Sequence, residues 1–458
     1  MASSNISEPI SLDTYDRLSV EKLAEFSMVE QRAVDTVCFQ RASFPYQAMS
    51  FQEISKFSDF VFNANTFLPF VAGRHIVENG LFTSFSKYEA ELIRSVHQMV
   101  DDLLEKNFDQ KAGPYLNILS NFGLFRALGH IRAAFGEDIS IFEAGPGCGY
   151  LGLLSGQLNC RYTSFDVAQG LYLWQSILGA RTDGEDFCEW AHQDFTHFTK
   201  VYATDGRRNH HLPWWFYLKL WQEPCVTADV IVSNNNLAEM HPDGARYLIK
   251  LSKTMLSASR CPLFIFAGFG SQSVGNAHQV MTTFKEFGFE LLCHRNMYVL
   301  SPMPEKLPNA VREVITGFES GVMPLSGEDH EQFMSLSAVL NLPEDLPTLT
   351  EVLGTRGANF LRYLDQLQPD PNSHLLDADR HEQIPEAALR NIFGSEFTEY
   401  EDERNKEHLL SPSPSDVATI SRMYETKLEA LELSLERQQS AYAALLRQHL
   451  TEAGIIKD

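Results

Sequence analysis

The stretch FEAGPGCGYLG (residues 142–152) decides how this chain folds. Three of its four glycines fall at every second position, Gly145, Gly147 and Gly149, just after the apolar and acidic run Ile141-Phe142-Glu143. Glycine tolerates left-handed backbone and lets another molecule lie directly against the main chain. A strand that runs into such a loop, with a helix opening behind it, is the arrangement that nucleotide-binding loops require. Two standard versions fail here. No Gly-Lys-Ser/Thr follows, which excludes the phosphate-gripping loop, and the dinucleotide spacing GxGxxG, read from Gly145, fails at Tyr150. A loop for a nucleotide without phosphates and a plain strand–helix turn remain.

The residues around the loop read as an alternation. YLNILSNFGLFRALGHIRAAF predicts a helix, DISIFEAG a strand, YLGLLSGQL a helix, CRYTSFDV a strand and AQGLYLWQSIL a helix. A third strand is expected to end near Asp194, although CEWAHQDF has a poor strand pattern. ADVIVSNN and CPLFIFAGFG read as buried strands, separated by the helix PDGARYLIKLSKTML. QVMTTFKEFGF is helical, and ELLCH and MYVLSP close the set. Continuously apolar strands alternating with helices predict an α/β fold, a mostly parallel doubly wound sheet of Rossmann-like type covered on both faces.

This core is expected over residues 115–305. Residues 1–114 predict a helical region, with Ile93, Val96, Met99, Val100, Leu103 and Leu104 on one stripe; it is either a cap packed on the core or a substrate lid. Residues 306–415 read as helical pieces broken by prolines and loop. Residues 416–450 form a heptad-patterned helix with Tyr424, Leu428, Leu431, Leu435, Gln438, Tyr442 and Leu445 along its seam. That seam predicts a homodimer, with packing back on the body as the rival.

Bulk properties narrow the partners. The 458 residues carry a formal net charge of −23, which repels polyphosphate backbones, so nucleic acid is not an expected partner. Apolar runs fall far short of a bilayer span, so no membrane is expected either. Seven dispersed cysteines without a CxxC pair, in a chain without a secretion signal, predict reduced thiols and a cytoplasmic location.

The pattern Glu143-x-Gly145-x-Gly147-x-Gly149 resembles the cofactor loop of methyltransferases that use S-adenosylmethionine (SAM), which carries no phosphate and needs no lysine. In that reading Glu143 faces the cationic methionyl end, and Pro146 and Tyr150 belong to the same loop. Asp166, with Val167 beside it, stands where a carboxylate accepts from both ribose hydroxyls, with an N-cap as the rival role. Asp194 and Phe195 would meet the adenine. Asn234, Asn235 and Asn236 follow a buried strand, where amides demand partners: Asn234 and Asn235 would contact the cofactor and Asn236 the acceptor, or all three serve as turn residues.

Together, FEAGPGCGYLG, FDVAQGLYLWQ (a strand, an acid, then a Leu-Tyr-x-x-Gln helix) and SNNNLAEM resemble a sugar O-methyltransferase family within the class I SAM-dependent methyltransferases. The resemblance covers about residues 120–300. It implies a seven-stranded sheet with an antiparallel last strand and SAM at the carboxyl edge. It also implies methyl transfer to a hydroxyl of a sugar, a glycosylated compound or another small natural product.

Such transfer is an in-line displacement in which alignment supplies much of the rate, and a hydroxyl acceptor needs a base. His241 is the candidate base, with His192, His210 and His211 as alternatives; Glu239 is the second candidate catalytic residue, placed to bind the acceptor, bind a metal or stabilise a loop. Asp194, Glu239 and Asp243 would be the oxygen ligands if a divalent metal were used, but a required metal is not the favoured reading. Trp214, Trp215 and Tyr217 in HLPWWFYLKLW are either core or a wall for the acceptor. N-methylation of a peptide or amine is the rival reaction. An inactive binding or scaffolding protein is the alternative of another class.

Overall fold

The computed structural model describes residues 7–23, 85–109, 117–167, 169–238, 240, 242–269, 277–294 and 297–319. The heptad-patterned helix, residues 320–415, Glu239 and His241 therefore lie outside the described residues, and so does the stretch 24–84.

Among the described residues three helices precede the sheet: α1 (Leu12–Leu23), α2 (Lys87–Phe108) and α3 (Asn117–Phe135). Ser86 caps α2 through a reciprocal box with Glu89, which satisfies two backbone N–H groups at the helix start. The Glu89 carboxylate also takes a two-pronged bond from Arg126 of α3, 2.7 Å on each arm, while Arg126 lies over the Phe85 and Phe122 rings. Both partners are buried. The apolar stripe of α2 faces inward: Ile93, Val96, Val100, Leu103 and Leu104 are buried and Met99 is partly so.

The sheet strands are β1 (Ser140–Ala144), β2 (Arg161–Phe165), β3 (Phe187–Glu189), β4 (Asn209–Leu212), β5 (Val230–Val232), β6 (Leu263–Phe266), β7 (Glu290–Cys293) and β8 (Tyr298–Ser301). They lie in the order β3-β4-β2-β1-β5-β6-β8-β7. The first six are parallel, and β8 runs antiparallel to both β6 and β7. The helices between them are α4 (Tyr150–Gln157), α5 (Gln169–Thr182), α6 (Phe195–Val201), α7 (Trp214–Lys219), α8 (Pro242–Leu256) and α9 (Ala277–Glu286); α10 (Asn309–Glu319) packs on α3 and β7. All residues of β5 and β6 are buried, as strands covered on both faces must be.

Two expectations are corrected. The sheet has eight strands among the described residues, not seven, because the polar segment Asn209-His210-His211-Leu212 inserts between β2 and β3. Its histidines hide the strand from a hydrophobicity pattern. They point to opposite faces, and each is buried with polar partners. The third strand also stops at Glu189 rather than near Asp194, which instead N-caps α6 by accepting from the His197 N–H at 2.7 Å. The close approach of α5 to β3 depends on Gly179, where an added Cβ would lie 2.3 Å from the Phe187 ring.

Candidate active site

From β1 the chain moves outward to β2 and on to the edge strand β3, comes back to β4 between them, and then crosses to β5 on the other side of β1. This reversal between β1 and β5 opens a crevice at the carboxyl ends of the parallel strands, the place where open α/β sheets bind ligands. The glycine loop after β1, Asp166 after β2 and the three asparagines after β5 all meet that edge.

Within the loop, Gly145, Gly147 and Gly149 have φ of 68°, 60° and 75°. All three occupy the left-handed region that glycine alone enters freely, which explains the alternating spacing. The Gly145 N–H reaches back to the Phe165 carbonyl at 3.0 Å, and Gly149 N–H closes a turn onto the Pro146 carbonyl. A Cβ on Gly147 would meet nothing within 4 Å, so the loop presents bare backbone on that side. Pro146 and Tyr150 are buried beneath the loop.

Glu143 is buried and accepts from the Tyr162 hydroxyl on β2. Burial pushes its carboxyl up to about 8; Tyr162 opposes the rise, and the nearby Asp166 charge adds to it. Gly152 makes room for this pairing, since a Cβ there would lie 2.9 Å from the Tyr162 ring. Asp166 is buried, with Oδ2 accepting from Gln175 Nε2 at 3.0 Å. Val167 beside it is buried too.

The asparagines divide their work. Asn236 is buried and joins β5 to β1: its Nδ2 donates to the Ala144 carbonyl at 2.7 Å, and its Oδ1 accepts from Ser233 at 2.6 Å. Asn234 Oδ1 accepts from the Ala267 N–H at 2.9 Å, tying β5 to the end of β6. Asn235 is exposed, has φ of 57°, and donates its N–H to the Gly268 carbonyl.

The remaining candidates lie farther out or deeper. Asp194 is exposed and caps α6 beyond the end of the edge strand β3. Phe195 is buried against Phe198 and Phe216. Trp214, Trp215 and Tyr217 are buried in α7, and Tyr217 stacks on Phe165 at 3.8 Å. His192 faces the Glu8 carbonyl at 3.2 Å. His210 takes the indole N–H of Trp190 on Nδ1 and meets the Arg207 carbonyl through Nε2, a pattern complete for the neutral ring; burial pushes it down to about 4. Among the described residues, no three His, Cys, Asp or Glu side chains are grouped to hold a metal, and no helix is long and apolar enough to cross a membrane.

Sequence reasoning missed Tyr162, Tyr172, Gln175, Ser176 and Glu189. Two of them, Tyr172 and Gln175, are the Tyr and Gln of the Leu-Tyr-x-x-Gln helix, so a signal for them was on the page without a role attached.

No protein-family description matches the chain, and no curated protein does either. Among solved structures it is similar to monomeric WbdD, at 9% identity and a TM-score of 0.27, covering 43% of each chain. It is also similar to magnesium protoporphyrin IX methyltransferase (ChlM) from Synechocystis PCC 6803 with bound SAH, at 11% identity and a TM-score of 0.26, covering 45% of this chain and 97% of that one. The cyclase SpnF follows at 12% identity and 0.28, covering 63% and 93%. Likenesses this distant bear on neither fold nor activity.

Proposed function

We propose that the chain is a SAM-dependent methyltransferase that methylates a hydroxyl on a sugar, a glycosylated compound or another small natural product. One observation carries this reading: a left-handed glycine loop and two buried carboxylates, Glu143 and Asp166, meet at the reversal point of a doubly wound sheet. The residues fit a nucleoside cofactor that lacks phosphate. Bare backbone at Gly147 admits a ligand, Asp166 offers oxygens to ribose hydroxyls, and no lysine is present to grip phosphate. Glu143 fits the methionyl end, where a cationic ammonium would compensate its buried carboxylate.

SAM supplies an electrophilic methyl group when bound. The chain's share is alignment of donor and acceptor, exclusion of water and removal of the acceptor's proton. We assign the proton to His241 and acceptor binding to Glu239 and Asn236, with Trp214, Trp215 and Tyr217 supporting the acceptor side. Asn234, Asn235, Val167, Asp194 and Phe195 complete the cofactor assignment. Two copies are proposed to pair through residues 416–450, in the cytoplasm. Titration calorimetry with S-adenosylhomocysteine (SAH) tests the reading: the wild type should bind and Asp166→Ala should bind far more weakly. Absence of wild-type binding refutes it.

A further inference from the structure

Helix α5 carries a polar chain that none of the assigned site residues accounts for. Gln175 Nε2 donates to the Gly147 carbonyl at 2.6 Å and to Asp166 Oδ2 at 3.0 Å, while its Oε1 faces His211 Nε2 at 3.1 Å. The amide has one workable orientation, since turning it over would set its oxygen against a carbonyl and a carboxylate. His211 Nε2 therefore carries a hydrogen. On the other side of the ring, Nδ1 lies 2.9 Å from Glu189 Oε2.

Glu189 is fully buried and collects further donors: Ser176 Oγ at 2.7 Å, the Ala191 N–H at 3.1 Å and the Tyr172 hydroxyl. Burial alone would raise its carboxyl, but His211 and these hydrogen bonds hold it below the ordinary carboxylate range. An ionised Glu189 only accepts, so the bonding is complete when both nitrogens of His211 carry hydrogen. Tyr172 stacks on that ring at 4.0 Å. The far end reaches the N-terminal segment, where the Ile10 N–H donates to Ser176 Oγ at 3.0 Å. The near end lies directly under the loop: a Cβ on Gly149 would sit 3.3 Å from Gln175 Cγ.

We propose that Gln175, braced by His211 and Glu189, is a positioning residue that fixes Asp166 and the glycine loop in the arrangement that receives the cofactor. This rests on the SAM reading above. Donors to charged groups are worth more than neutral ones, and the amide holds both a carboxylate and the loop backbone.

The test is Gln175→Met in the full chain, which keeps volume and removes all three bonds. Below the melting temperature SAH should bind roughly 10- to 100-fold more weakly than to wild type. Amide hydrogen exchange at Gly147, Cys148 and Gly149 should rise, with or without ligand. Unchanged affinity together with unchanged exchange overturns the proposal; a lowered melting temperature alone would mark Gln175 as merely structural and overturn it too. If wild type binds no SAH, the SAM reading fails, and faster loop exchange in the variant then separates a surviving brace from one that has also failed. If the methionine variant does not fold, Gln175→Asn, whose amide is one methylene too short, is read the same way.

Discussion

Replacing Glu143 by glutamine isolates the most unusual charge in the site. The carboxyl is buried and titrates at about 8 in the folded chain, mainly through desolvation. In the unfolded chain a glutamate titrates near about 4.3. Between these values the folded chain holds a proton that the unfolded chain has released, so stability falls as pH rises, by about 1.4 kcal/mol per unit. The loss is complete above the folded value and absent below the unfolded one. Glutamine never ionises and keeps an oxygen for the Tyr162 hydroxyl. The Glu143→Gln variant should therefore exceed wild type by about 1 kcal/mol at pH 5 and by about 4.5 kcal/mol at pH 8. Urea unfolding of the unliganded proteins at four pH values across that range measures the gap. A gap that does not widen with pH refutes the reasoning.

The same charge makes a statement about binding. A cationic ammonium beside Glu143 favours the carboxylate, so SAM binding at pH 7 should release about one proton. Calorimetry in buffers of different ionisation enthalpy counts it, and the glutamine variant should release none and bind less tightly. A variant that is more stable yet binds worse is what a strained functional carboxyl predicts.

Two further outcomes concern regions away from the crevice. Arg126→Met strands the buried Glu89 carboxylate and should cost about 3–5 kcal/mol in urea unfolding, whereas Glu89→Gln with Arg126→Met should recover most of it; an equal loss in the double variant contradicts the ion-pair account. A chain ending at residue 415 should scatter light as a monomer if residues 416–450 pair two copies, and an unchanged dimer mass would remove that assignment.

What could be read without coordinates follows from where each residue's information lies. The helices and the apolar strands β1, β5 and β6 announce themselves because both faces of the sheet are covered, which forces runs such as VIV and LFIF. The three glycines are equally legible, since each sits at a backbone angle no other residue takes freely. Strand β4 fails for the same physical reason in reverse. His210 and His211 are polar letters whose burial is made tolerable by partners 3 to 36 positions away in the chain, and all of these but Arg207 lie outside any local window. The strand boundary beside it is equally hidden: the third strand, expected to end near Asp194, ends at Glu189, and Asp194 caps α6 instead. The adjoining histidines show how much the partner set decides. His210 meets an indole N–H and a carbonyl and is complete as a neutral ring, whereas His211 meets a carboxylate and an amide oxygen and is complete only with two hydrogens. Neighbours in sequence thus meet different partner sets, because alternate strand positions face opposite layers of the fold, and the layer that contains Gln175 leads back to the glycine loop.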